Sequence, residues 1–137
     1  MWDVYLGGVS DKKWRETFKK NISSEIKIFD PYLKSYNKLN NHAKHNQFSK
    51  ELCIQEDCAI AVFYLNPSWD GTSTLLELGM SIGNGKQVMV CLDGKVKGSE
   101  QIEQYCNFYG VPVCKNLEEL VLLVEEFINE LEMLDEK

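Results

Sequence analysis

The order of apolar segments predicts an α/β fold: a five-stranded parallel sheet with helices on both faces. Three observations carry this. Short β-forming runs alternate with helix-period runs along the whole chain, as in parallel strands joined by crossover helices. The run CAIAVFYLN (58–66) is almost continuously apolar, as a strand buried on both faces must be. The chain has 137 residues, 44% of them hydrophobic, which suffices for one core without a disulfide or metal staple.

The elements follow in order. WDVYLG (2–7) is a β-forming run closed by Gly7-Gly8. In DKKWRETFKKNI (11–22), Trp14, Phe18 and Ile22 fall four apart, a helical stripe that Ser10 or Asp11 can cap. EIKIFDP (25–31) alternates Ile26 and Ile28 with polar neighbours and stops at Asp30-Pro31, so it reads as the second strand. Residues 32–47 are polar, without a period, and read as a loop over a site. A helix is expected from about Asn46 to Asp57, then the strand at 58–66. PSWDGTST (67–74) is a loop of turn and capping residues, and LLELGMSIGNG (75–85) a helix ending on Gly83 and Gly85. KQVMVCLD (86–93) is the fourth strand, 99–110 a helix, and VPVC (111–114) a fifth strand whose Pro112 suits a sheet edge. The last helix, 116–133, has Leu117, Leu120, Val121, Val124, Phe127, Ile128 and Leu131 on one face. Five such strands suggest a single flavodoxin-like, Rossmann-like domain over 1–137, with strand order 2-1-3-4-5.

Composition narrows the function. Fifteen Lys and Arg against 21 Asp and Glu give a net charge of −6, the opposite of a nucleic-acid footprint. No apolar run reaches the roughly 20 residues that span a bilayer. The first residues have neither the basic start nor the apolar core of a signal peptide. The five cysteines form no CxxC pair, and Cys58, Cys91 and Cys114 sit in strand-like runs. They read as reduced packing residues of a cytoplasmic protein. His42 and His45 have no third metal-ligand partner nearby and read as exposed loop histidines.

In a sheet of order 2-1-3-4-5, ligands bind beyond the C-terminal ends of strands one and three. Topology therefore brings together Gly7 to Ser10, Asp30-Pro31, and Asn66 to Thr74. The last loop carries Trp69, Asp70, Gly71, Thr72 and Thr74 and leads into a helix with Glu77 in its expected first turn, where a helix N-terminus favours a carboxylate or bound anion. Thr74 and Glu77 also fit a capping box, the simpler reading. Gly7-Gly8 allows close approach of a ligand, or only a tight turn. Tyr5 and Trp69 are the aromatic candidates for stacking on a base or sugar; Trp14 and Tyr64 are better read as core.

These segments resemble the nucleoside 2-deoxyribosyltransferase-like superfamily, which includes 2'-deoxynucleoside 5'-monophosphate N-glycosidases. The likeness lies in VYLGGV (4–9), ELCIQEDCAIAVFYLNP (51–67) and, most specifically, DGTSTLLELGMSIGNGKQVMVCL (70–92). The resemblance implies an N-glycosyl transferase or hydrolase acting on a nucleoside or nucleotide. Glu77 would be the nucleophile, Tyr5 would orient it, and Glu51 would lie near the substrate. Asp70 would protonate the leaving base, although the family's acid stands six residues before the nucleophile, where this chain has Gly71. No cofactor or metal is implied, and a homo-oligomer of two or more copies is. LNPSWDGTSTLLELG (65–79) is also loosely similar to the glutamate segment of TIR domains, so a TIR-like NAD glycohydrolase is the alternative, with a binding or sensor module behind it.

Overall fold

A computed structural model describes residues 2–32, 36–69 and 71–135. Five parallel strands form one sheet in the order β2-β1-β3-β4-β5. They are β1 (Val4–Gly8), β2 (Ile28–Phe29), β3 (Ile60–Leu65), β4 (Val88–Leu92) and β5 (Val113–Cys114). Between and after them run α1 (Lys12–Asn21), α2 (Asn41–Asp57), α3 (Thr72–Gly83), α4 (Ser99–Phe108) and α5 (Leu117–Asp135). The predicted strand order and fold class are those observed.

Every residue of β3 and β4 is buried, which is why both read as unbroken apolar runs rather than alternating ones. On one face Val4, Leu6, Val62 and Cys91 pack with Trp14 and Phe18 of α1 and with Leu120, Val124 and Ile128 of α5. On the other, Tyr5, Phe63, Leu65 and Val90 pack with Leu78 of α3 and Ile102 and Cys106 of α4. Trp14 and Tyr64 are core, stacked at 4.7 Å between ring centroids. Cys58, Cys91, Cys106 and Cys114 are buried free thiols, and Cys53 is an exposed one. Among the described residues no helix is long and apolar enough to cross a membrane.

The structure corrects three local expectations. Residues 41–47 belong to helix α2 rather than to a loop. Asn40 caps it, its side chain accepting from the Ala43 N–H at 2.8 Å. The helix has no apolar stripe, since Gln55 is its one buried residue, and a helix polar on every side gives no hydrophobic period to read. His42 and His45 are exposed, but on this helix. Second, α3 begins at Thr72 with Gly71 in the cap position and no side-chain cap bond. The Thr74–Glu77 capping box is therefore not formed, and Glu77 lies in the second turn. Third, β2 and β5 are only two residues long. Sheet-edge strands need few ladder bonds: Asp30 is engaged by Arg15 instead, and Pro112, with no N–H to give, joins only through its carbonyl, which accepts from the Val90 N–H at 3.0 Å.

Candidate functional site

The loops that topology brings together do converge. A cleft of about 770 Å³ opens at the C-terminal ends of β1 and β3. One wall runs from Tyr5 to Asp11, with Arg15 behind it; Pro31 and Tyr32 close one end. Ser68, Trp69, Gly71, Ser73, Thr74 and Glu77 form the opposite wall, and Asn37, Phe48 and Glu51 overhang it.

Arg15 organises the first wall. Its side chain leaves α1 beside Trp14 and is 3% exposed. Nη1 donates to the Leu6 carbonyl at 3.0 Å and to Asp30 Oδ1 at 2.8 Å; Nη2 donates to the Val9 carbonyl at 3.0 Å. The Trp14 indole N–H also donates to Val9, at 2.8 Å. A buried charge must be paired to be tolerated, and Asp30 pairs this one. Lys19 reaches the other Asp30 oxygen at 2.9 Å, and the Tyr32 N–H donates to Oδ1 at 3.0 Å. Burial works against the Asp30 charge, yet the Tyr32 N–H, Lys19 and Arg15 together hold its carboxyl below the usual carboxylate range.

Glu77 and Glu51 face the cleft from α3 and α2. Burial, then repulsion from Glu51, raises the Glu77 carboxyl to about 7, with Arg15 opposing. Burial also raises Glu51, against a hydrogen bond from Gln47 at 3.0 Å and the Arg15 charge. Tyr5 is 2% exposed at the cleft floor. Burial, Glu77 and Glu51 push its phenol well up, so it remains an O–H donor. A helix N-terminus in the expected first turn would have kept Glu77 fully ionised. Its place one turn further on, in a half-buried setting, makes it a carboxyl that titrates near neutrality.

This has a consequence for stability. The folded chain holds the Glu77 proton up to about pH 7, whereas an ordinary glutamate releases it near 4.5. Between those values the folded state binds more protons than the unfolded one, so stability falls as pH rises through the window. Glu77→Gln removes that cost. The variant should be more stable than wild type at pH 8 by something on the order of 2 kcal/mol, and equal to it at pH 4, in thermal melts. Equal melting at both pH values would show that the carboxyl is not desolvated.

Of the residues expected at the site, Tyr5, Gly7, Gly8, Glu51, Trp69, Gly71, Thr74 and Glu77 line the cleft. Asp30 does not; it stands behind the wall as the partner of Arg15. Asn66 is turned to its own loop, where Oδ1 accepts from the Ser68 N–H at 3.0 Å and the Ser68 hydroxyl at 2.6 Å. Thr72 is exposed at the start of α3, outside the lining. Asp70 lies outside the described residues. The glycine pair has a structural reason. Gly8 has φ +113, and a Cβ there would meet the Tyr64 backbone. Arg15, Asn37 and Phe48 line the cleft without having been singled out. For Arg15 a signal existed: it stands three before Phe18 on the face of the Trp14–Phe18 stripe, where a charge is buried and needs a partner.

The parallel sheet of this order makes the chain an α/β protein, and the acidic cleft at its switch point is the candidate small-molecule site. The model of the family described as nucleoside 2-deoxyribosyltransferase like matches residues 1–95, and the chain belongs to that family. The matched span takes in β1 to β4 and every residue that lines the cleft. None of the curated proteins compared matches the chain.

Proposed function

We propose that the chain cleaves the base–sugar bond of a deoxynucleoside through a glycosyl–Glu77 intermediate. The observation that carries this is the Glu77 carboxyl in the cleft, beside Tyr5 and Glu51 and within reach of the Arg15 charge. In the first step a Glu77 oxygen bonds to C1' of the sugar as the C1'–N bond breaks. The leaving base takes a proton, for which Asp70 is the proposed donor and Glu51 the second candidate. In the second step water, or another base, attacks C1', gives its proton to the carboxylate left by the acid of the first step, and releases Glu77. The Tyr5 hydroxyl is assigned to hold the Glu77 oxygen not bonded to the sugar. Trp69 and Phe48 offer apolar surface to a flat base.

The charges favour a neutral substrate. Asp11, Glu51 and Glu77 line the cleft, while Arg15 is the one cationic side chain among the described lining residues and is already paired with Asp30. A 5'-phosphate would meet net negative charge. The test is chromatographic: free base released from 2'-deoxynucleosides, their 5'-monophosphates, ribonucleosides and NAD, with and without an acceptor base. Deoxynucleosides should exceed their monophosphates by at least about tenfold in kcat/KM, roughly 1.4 kcal/mol. A preference for monophosphates would overturn the charge argument. The cleft also has volume for a dinucleotide, and release of nicotinamide from NAD alone would favour the TIR-like reading. No release from any compound by folded protein would leave a binding module.

A further inference from the structure

We infer that Arg15 is a positioning residue for Glu77: from behind the cleft wall its charge governs the ionisation of the Glu51–Glu77 carboxyl pair, and Asp30 sets how much of that charge the pair feels. The inference rests on the proposed role of Glu77.

The geometry gives Arg15 two tasks. Its two backbone acceptors, Leu6 and Val9, bracket Gly7-Gly8, so the guanidinium fastens the turn between β1 and α1 next to Tyr5. Stacking fixes it further, with the guanidinium carbon 4.7 Å from the Trp14 ring centroid and 5.9 Å from that of Tyr32. The second task is electrostatic. Arg15 is 3% exposed and its Nε has no hydrogen-bond partner. With no solvent shell, the guanidinium is weakly screened, and its field extends into the cleft. Glu77 shares the cleft with Tyr5 from β1, Asp11 from the β1–α1 turn, Arg15 from α1 and Glu51 from α2, and lines a second cavity with Glu56 of α2 and with Lys86, whose ammonium donates to the Glu56 and Cys58 carbonyls. Arg15 is the one positive group among the described residues on the cleft side. The Asp30 carboxylate, at 2.8 Å, offsets part of its charge.

Asp30 and Arg15 therefore act in opposite directions on the same carboxyl, which a purely structural clamp cannot do. The experiment is a ¹³C NMR titration of the Glu77 side-chain carboxyl in the full chain, for wild type, Arg15→Gln, Arg15→Lys and Asp30→Asn. Removing the positive charge in Arg15→Gln should raise the Glu77 midpoint by roughly one pH unit. Asp30→Asn keeps the shape and frees the Arg15 charge, so the midpoint should fall. Arg15→Lys keeps the charge and should stay near wild type. The acid limb of the kcat/KM–pH profile should move with the midpoint in each case. Midpoints that do not move, or that move the same way in Arg15→Gln and Asp30→Asn, would overturn the inference. If Arg15→Gln does not fold, an unmoved or raised midpoint in Asp30→Asn overturns it alone. If no substrate is turned over, the proposed function fails, yet the titration still decides the role of Arg15.

Discussion

Glu77→Gln is expected to lower turnover of the best substrate by at least about 10³-fold, in line with the loss of a covalent nucleophile in other enzymes. The amide has nearly the shape of the protonated acid. Glu77 is half-buried on the second turn of α3, so the exchange leaves helix and cleft in place. The variant lacks a carboxylate that can bond to C1', and binding should be retained. Calorimetry with the same substrate separates the two effects: an unchanged Kd with lost turnover assigns the chemistry to Glu77. Rapid quench of the wild type followed by mass spectrometry should find one sugar added to the peptide that contains Glu77. Retained turnover in Glu77→Gln would remove the mechanism.

The second large effect is on folding. Gly8→Ala is expected to destabilise the chain by about 4 kcal/mol or more, measured by urea denaturation. At φ +113 an L side chain is strained whatever the space around it. Space is also lacking. A Cβ at Gly8 would stand 2.1 Å from the Tyr64 carbonyl oxygen and 2.6 Å from its nitrogen. These are backbone atoms of β3, the central strand, so relief requires the sheet itself to move. Gly8 pairs with Tyr64 in the β1–β3 ladder, and the Val9 N–H donates to the Tyr64 carbonyl at 2.9 Å. The strain thus reaches the turn that Arg15 fastens. Gly79→Ala is the control. A Cβ at Gly79, in exposed helix, would meet nothing within 4 Å, and there alanine should stabilise by up to about 1 kcal/mol. A loss below about 1 kcal/mol at Gly8 would show that the close approach to β3 is not real.

Sequence patterning reached the sheet more fully than it reached the cleft. β3 and β4 are buried throughout, and burial on two faces writes itself as an apolar run. Strand order followed from the alternation of elements, and the converging loops followed from the order. What escaped is where polar residues stand in for apolar ones. Helix α2 is capped by Asn40 and buries little but Gln55, so its first two turns resemble loop sequence. Arg15 sits among core residues because Asp30, fifteen positions later, neutralises it, and a pairing between separate elements leaves no local trace. Glu77 lies at the cleft, where the loop order places its helix. Its environment was not legible, because the cap fell on Gly71, where no side chain announces it. Its neighbours Glu51 and Tyr5 come from other elements.

The margins of the sheet have a bearing on how copies of this chain can associate. A long unpaired strand edge invites another chain to continue the ladder, the common route to aggregation. Here both margins are strands of two residues, Ile28–Phe29 and Val113–Cys114, and Pro112, just before the latter, has no N–H to offer. Little template is left on either side. A sheet running from one copy into the next is an architecture that these edges disfavour, which leaves helix surfaces and side chains as the better route to any ordered assembly.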